Sequence, residues 1–168
     1  SVRDHYREEV RPVSEHSGSG ERTLYDLTPG ESGMILSVGN QSGAVKRRLV
    51  DMGVHTMSFI TATPFVEGIL EALDLYHPPV PLVWNTSGYE TVETLRRLEG
   101  VMDVYLPDLK HFSPRMGQLC AKAPDYFEVA SAAITEMVRQ VGAPQYDEDG
   151  IMRRGVLIRH LILPGLTG

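Results

Sequence analysis

Hydrophobic and polar residues form two alternating kinds of segment after residue 55. Short apolar runs typical of buried strands precede stretches whose apolar residues recur every three or four positions, as in a helix that packs one face. The predicted strands are 58–62, 82–85, 101–106 and 155–163. The predicted helices are 63–73, 90–98 and 124–141, bounded by Thr63-Pro64, Gly100 and Gly142. Because strands separated by helices require crossover connections, we expect an α/β fold with a parallel sheet.

The first 54 residues have a different texture and divide into two segments. Residues 1–23 are polar and end in HSGSGERT, which predicts a flexible N-terminal segment. In residues 24–54, LYDL and the turn TPG precede a strand-like run at 33–39. A short predicted helix follows and ends at Gly53. We therefore expect three parts, at 1–23, 24–54 and 55–168.

Composition limits the functions that the chain could perform. The formal net charge of -6 and the pI of about 5.5 argue against a general nucleic-acid binder. No apolar run approaches the roughly 20 residues that span a bilayer, so we expect no membrane insertion. The charged N-terminus predicts no secretory signal. The single cysteine, Cys120, excludes an internal disulfide and is compatible with a cytoplasmic location.

Charged and polar residues follow the predicted strands, where parallel α/β sheets bind their ligands. Asp108 and Lys110 come two residues apart after the third strand, so an extended chain points both to the same face. Together they could bind the amine and the carboxylate of an amino acid. A purely structural salt bridge at the rim of the sheet is the alternative interpretation.

Other strand ends add neutral and cationic groups to this edge. The second strand ends in Asn85-Thr86-Ser87-Gly88, and Pro164-Gly165 closes the last one. Arg159 lies within that last strand and is a candidate clamp for a carboxylate or phosphate, with Asp108 as its candidate partner. His77 and His111 have no second ligand at metal spacing, so we expect ordinary loop histidines.

Four stretches resemble radical S-adenosylmethionine (SAM) proteins related to pyruvate formate-lyase activating enzyme. They are FITATPFVEGILEALDL, PLVWNTSGYETVETLRRLEGVMDVYLPDLKHF, APDYFEVASAAITEMVRQVG and RGVLIRHLILPG. The resemblance covers about residues 55–168 and implies a partial parallel (β/α) barrel. It also implies that the strand ends hold the methionyl group of SAM. The matching residues are Asp108 and Lys110 for the D-x-K motif, Asn85, Thr86, Ser87 and Gly88 for the [DN]-T-[NS]-G motif, and Pro164 and Gly165 for the P-G motif.

The resemblance further implies a reduced [4Fe–4S] cluster that cleaves SAM into a radical. That cluster is held by a CxxxCxxC loop after the first barrel strand, and these 168 residues contain no such loop. Cys120 stands alone, after the third predicted strand of the 55–168 part. We therefore expect a barrel fragment that binds SAM, lacks the cluster ligands and performs no radical chemistry by itself.

Residues 24–54 resemble a second family, ferrous-iron-transport protein A, a small SH3-like β-barrel that supports an iron permease. The resemblance rests on Pro29, Gly30, Gly33 and the run from Arg47 to Gly53. It implies a short β-containing SH3-like fragment. The alternative function is then a non-enzymatic module that binds the cytoplasmic domain of an iron permease, and a third hypothesis is a protein with no retained activity. We expect open sheet edges to be covered by the N-terminal region or by self-association.

Overall fold

The computed structural model describes residues 10–13, 24–27, 53–160 and 162 of the chain. The chain divides into two compact units, Ser1–Met34 and Ile35–Gly168. In the first unit, β1 (Val10–Val13) pairs antiparallel with β2 (Leu24–Leu27). Strand β1 was not predicted and lies within the segment expected to be flexible. Apart from β2, Gly53 and Val54, the segment 24–54 lies outside the described residues, so its SH3-like structure stays a prediction.

A five-stranded sheet organises the second unit. Its strands are β3 (Met57–Ile60), β4 (Leu82–Thr86), β5 (Val104–Pro107), β6 (Gln145–Tyr146) and β7 (Met152–Val156). They lie in the order β3-β4-β5-β7-β6. The pairings of β3 with β4, β4 with β5 and β5 with β7 are parallel, and only β6 runs antiparallel to its neighbour. The α/β fold class is therefore confirmed, with a mostly parallel sheet, whereas the partial (β/α) barrel stays a prediction.

Four α-helices connect these strands. They are α1 (Val66–Leu75), α2 (Val92–Arg96), α3 (Pro114–Ala121) and α4 (Tyr126–Val141). A single 3-10 turn at Thr63–Phe65 leads into α1, with Pro64 at a first-turn position that needs no backbone N–H. The Thr91 side chain caps α2 by accepting a hydrogen bond from the Thr94 N–H at 3.2 Å.

One face of the sheet carries the main hydrophobic core. The core residues of β3, β4 and β5 lie at alternate positions of each strand and directly opposite one another on neighbouring strands. They are Met57, Phe59, Leu82, Trp84 and Tyr105. Apolar residues of α1, α2 and α4 pack against them, including Ile69, Leu95 and Met137. Burial of each large side chain in this core stabilises the fold by about 1.5–3 kcal/mol relative to leaving it exposed.

A polar network on the helix side joins α4, β5 and Glu99, which follows α2. The Tyr105 hydroxyl donates to Gln140 Oε1 at 2.5 Å, and Gln140 Nε2 donates to Glu136 Oε1 at 2.9 Å. Arg139 Nε lies 2.9 Å from Glu136 Oε2, and its Nη2 lies 2.8 Å from Glu99 Oε2. Burial raises the pKa of the Tyr105 hydroxyl, and the nearby Glu136 charge raises it further. The phenol therefore stays a hydrogen-bond donor at neutral pH.

The last strand differs from its predicted position. A strand was predicted at 155–163, whereas the observed strand β7 begins three residues earlier, at Met152. It ends at Val156. Pairing with β6 accounts for the earlier start, because Met152 and Arg154 lie opposite Tyr146 and Gln145. The Arg154 guanidinium also donates to the Val141 and Gln140 carbonyls at the end of α4, at 3.0 and 2.9 Å. Pairing resumes beyond Val156 in a single parallel bridge between Asp108 and Arg159.

No helix of the described residues has both the length and the apolar character needed to cross a membrane.

Candidate functional site

An ion-pair cluster lies beyond the carboxyl ends of β5 and β7. Lys110 Nζ lies 3.0 Å from Asp108 Oδ2, and Arg159 Nε lies 2.8 Å from Asp108 Oδ1. The Asp108 side chain is only 17% exposed, whereas those of Lys110 and Arg159 are 33% and 44% exposed. The cluster thus has a largely buried anion and two cations that remain partly open to solvent. The structure brings together all three charged residues that the sequence singled out.

Backbone hydrogen bonds fix this cluster to the sheet. The Asp108 N–H donates to the Thr86 carbonyl at 3.0 Å, which extends the pairing of β4 with β5. The Arg159 N–H donates to the Pro107 carbonyl at 2.9 Å, and the Leu109 N–H donates to the Arg159 carbonyl at 2.8 Å. Both sides of the Asp108–Arg159 ion pair therefore belong to the sheet hydrogen-bond pattern, which restricts their relative position.

Asn85 connects the second strand end to the same cluster. Its Oδ1 accepts a hydrogen bond from Arg159 Nη2 at 2.8 Å, and the residue is 8% exposed. Arg159 thereby contacts β4 through Asn85 and the loop after β5 through Asp108. The guanidinium geometry allows this, because its N–H groups diverge in a planar fork.

Thr86 belongs to a buried chain of hydrogen bonds behind the cluster. Its hydroxyl donates to Glu90 Oε1, and the Thr63 hydroxyl donates to the same oxygen at 2.9 Å. The Gly88 N–H in turn donates to Thr86 Oγ1 at 3.1 Å. Glu90 is 4% exposed, and its Oε2 has no partner among the described residues. The chain links the segment after β3 to the turn after β4.

The turn after β4 packs directly on the backbone of Asp108. Gly88 has φ +80°, and a Cβ atom added to it would lie 2.3 Å from the Asp108 carbonyl oxygen. Any other residue would therefore meet both an unfavourable backbone conformation and a severe overlap. The close approach of the two backbones therefore requires glycine at position 88.

Tyr126, the first residue of α4, contacts three backbone groups of the site with one hydroxyl. It accepts a hydrogen bond from the Lys110 N–H at 3.1 Å, and it lies 2.8 Å from the Ser87 carbonyl oxygen and 3.0 Å from that of Asp108. The ring stacks on Tyr89 with centroids 6.0 Å apart, and its edge contact with His111 has centroids 5.6 Å apart. Burial raises the pKa of the Tyr126 hydroxyl, so it remains a donor.

The other predicted residues have different outcomes. Ser87 is exposed, and its carbonyl contributes to the site through Tyr126. Pro164 and Gly165 lie outside the described residues, so their predicted role stays untested. His77 is exposed and lies 3.1 Å from the Pro78 carbonyl oxygen, whereas His111 is buried against Tyr126.

Sequence reasoning did not identify Glu90 or Tyr126 as parts of the site. Glu90 was assigned only to the start of a helix, although an acid that directly follows the turn after β4 was a usable signal. Tyr126 lay just inside a predicted helix, where it resembled any other core aromatic residue.

The arrangement has the groups that an α-amino acid requires. The two cationic side chains can donate to a carboxylate, and Asp108 can accept from an ammonium group. With two cations around one carboxylate, these three side chains carry an excess of one positive charge, which favours a ligand with an anionic group. Within the described part of the chain, no three His, Cys, Asp or Glu side chains converge in a group that could hold a metal ion.

Comparison with known proteins gives one distant relative. The uncharacterized protein MJ0674 of Methanocaldococcus jannaschii is 33% identical over 102 residues. The matched region makes up 61% of this chain and 26% of that protein, so the chain spans about a quarter of its relative's length. No family model matches the chain, and no solved structure matches it.

Proposed function

We propose that residues 55–168 form part of a (β/α) barrel of the radical-SAM type and bind the methionyl group of SAM at the strand-end cluster. The carrying observation is the contact of Asp108 with both Lys110 and Arg159 at the carboxyl ends of parallel strands. This edge is where parallel α/β sheets place their ligands. We also propose a cytoplasmic location for the protein.

The cluster suits a methionyl group because both halves of the zwitterion find a partner of opposite charge. Lys110 and Arg159 are the residues that would hold the carboxylate, and Asp108 would accept from the ammonium group. Asn85 supplies an oriented amide beside the guanidinium. When SAM is bound, its sulfonium centre supplies an electrophilic carbon or a cleavable carbon–sulfur bond, and these residues contribute orientation of the methionyl end.

An iron–sulfur cluster does not fit the donors in these 168 residues. Three thiolates are needed, and the sequence has one cysteine. Cys120 is exposed on α3, a helix that was not predicted from the sequence. We therefore assign no radical step to this chain, and the proposal concerns SAM binding alone.

A ligand series tests the proposal. SAM, methionine and adenosine are titrated into the folded chain by calorimetry, and SAM and methionine are expected to bind whereas adenosine binds much more weakly. Binding of adenosine at the affinity of SAM would contradict the assignment of the cluster to the methionyl group. In parallel, anaerobic reconstitution with iron and sulfide should give no stable cluster absorbance, and a cluster with SAM-cleaving activity would overturn that part of the account.

The iron-transport alternative rests on residues 24–54, most of which lie outside the described residues. It stays a prediction, and binding to the cytoplasmic domain of an iron permease in a pull-down is the measurement that decides it.

A further inference from the structure

We propose that Tyr126 is a positioning residue that sets the distance between the turn after β4 and the Asp108–Lys110 pair. The proposal rests on the proposed function for its ligand, but its geometric basis is independent of that function. Three backbone groups converge on the one hydroxyl, at distances of 2.8, 3.0 and 3.1 Å. They belong to Ser87, Asp108 and Lys110, which lie on both sides of the candidate site.

The hydrogen-bond pattern gives the hydroxyl a specific role. A phenol has one proton and can also accept, so it shares its proton between the Ser87 and Asp108 carbonyls and accepts from the Lys110 N–H. The Asp108 carbonyl and the Lys110 N–H flank the side chains that form the ion pair. Fixing both peptide groups fixes the backbone from which the Asp108 and Lys110 side chains extend toward each other.

The surroundings hold the hydroxyl in place. Tyr126 is 3% exposed and packs with Ala123 and Ala130 beneath Leu109. The turn cannot approach Asp108 more closely, because Gly88 already places its backbone against the Asp108 carbonyl. Tyr126 thus connects two segments that are in van der Waals contact, and it does so from a third element, α4.

A phenylalanine substitution separates this role from simple packing. Tyr126→Phe keeps the ring and removes the hydroxyl, and Tyr89→Phe is the matched control, since its hydroxyl bonds only the exposed Asp125 carboxylate at 2.7 Å. We expect Tyr126→Phe to weaken SAM binding by roughly five- to thirtyfold at a temperature where it is fully folded. The control should change the affinity by less than about twofold.

The Lys110 amide provides a readout that needs no ligand. Hydrogen exchange followed by NMR should show a protected Lys110 N–H in the native chain and in Tyr89→Phe, and faster exchange in Tyr126→Phe. The exchange measurement tests the role of Tyr126 even if the native chain does not bind SAM. Failure to bind SAM would contradict only the proposed function. An unprotected Lys110 amide in the native chain overturns the proposal even if Tyr126→Phe does not fold. Unchanged SAM affinity in a folded Tyr126→Phe protein would also overturn it.

Discussion

Arg159 Nε lies 2.8 Å from Asp108 Oδ1, and this contact joins the segment after β7 to the segment after β5. The two residues also form an isolated parallel bridge, so their backbones and their side chains are paired together. Asp108 keeps a second partner in Lys110 on its other oxygen. A carboxylate held on both oxygens has a defined orientation, which is the property that a ligand-binding residue needs.

The Asp108–Arg159 pair should contribute measurable coupling to stability. In a double-mutant cycle with Asp108→Asn and Arg159→Ala, we expect a coupling free energy of about 0.5–1.5 kcal/mol, because Asp108 is largely buried. The exposed Arg97–Glu67 pair is the matched control and should give less than about 0.5 kcal/mol. Urea unfolding of each set of four proteins measures both values, and equal coupling in the two pairs would contradict the expectation.

Gly88 should tolerate substitution far less than Gly100. Both have positive φ, at +80° and +77°, but only Gly88 faces a backbone oxygen where a Cβ would lie. Gly100→Ala should therefore cost about 1–2 kcal/mol for its left-handed conformation alone. Gly88→Ala should cost at least about 2 kcal/mol more, since the turn must move away from Asp108. Chemical denaturation compares the two, and similar losses would argue against the close packing of this turn.

Glu90 should matter for stability although it is not a predicted site residue. Glu90→Ala leaves the Thr63 and Thr86 hydroxyls without their acceptor, and we expect a loss of about 1–3 kcal/mol. Glu93→Ala on the exposed side of α2 is the control and should change stability by no more than about 0.5 kcal/mol. Thermal unfolding followed by circular dichroism measures both losses. A Glu90→Ala protein as stable as Glu93→Ala would contradict the expectation.

Glu136 should make stability depend on pH in the acid range. Hydrogen bonds from Arg139 and Gln140 lower the pKa of its carboxyl from 4.5 to about 2. Because the pKa of Glu136 is lower in the folded state than in the unfolded state, the ionised carboxylate stabilises the fold above pH 4.5. This stabilisation is lost as the pH falls from about 4.5 to about 2. The Tm advantage of the native chain over Glu136→Gln should therefore shrink across that interval. A constant difference in Tm between the two proteins would refute this assignment. The Arg139 contact also lowers the pKa of Glu99, so some acid dependence should remain in Glu136→Gln.

The predictable parts of the fold and site depend on local pattern. The strand and helix periods after residue 55 were sufficient to predict four parallel strands. The two-residue spacing of Asp108 and Lys110 was sufficient to predict that they share a face. Asp108 was a candidate partner of Arg159 because a long cation predicted within a strand requires an anion, and the contact is observed although Arg159 lies beyond β7.

The remaining parts depend on contacts between segments distant in sequence. Tyr126 meets Ser87 across 39 positions and Asp108 across 18, and no local pattern distinguishes it from a core aromatic residue. The two-residue strand β6 is too short to show a period, and α3 exposes most of its residues, so its sequence resembled a loop. The earlier start of β7 follows from its backbone pairing with β6, a partner strand that the sequence pattern does not reveal.

The most direct test of the central claim is a calorimetric titration of SAM into the 168-residue chain, alongside Asp108→Asn and the control Glu93→Ala. The account predicts saturable binding to the native chain, unchanged binding to Glu93→Ala, and an affinity at least about tenfold weaker for a folded Asp108→Asn protein. Absence of saturable heat from the folded native chain, or equal affinity in Asp108→Asn, would contradict it.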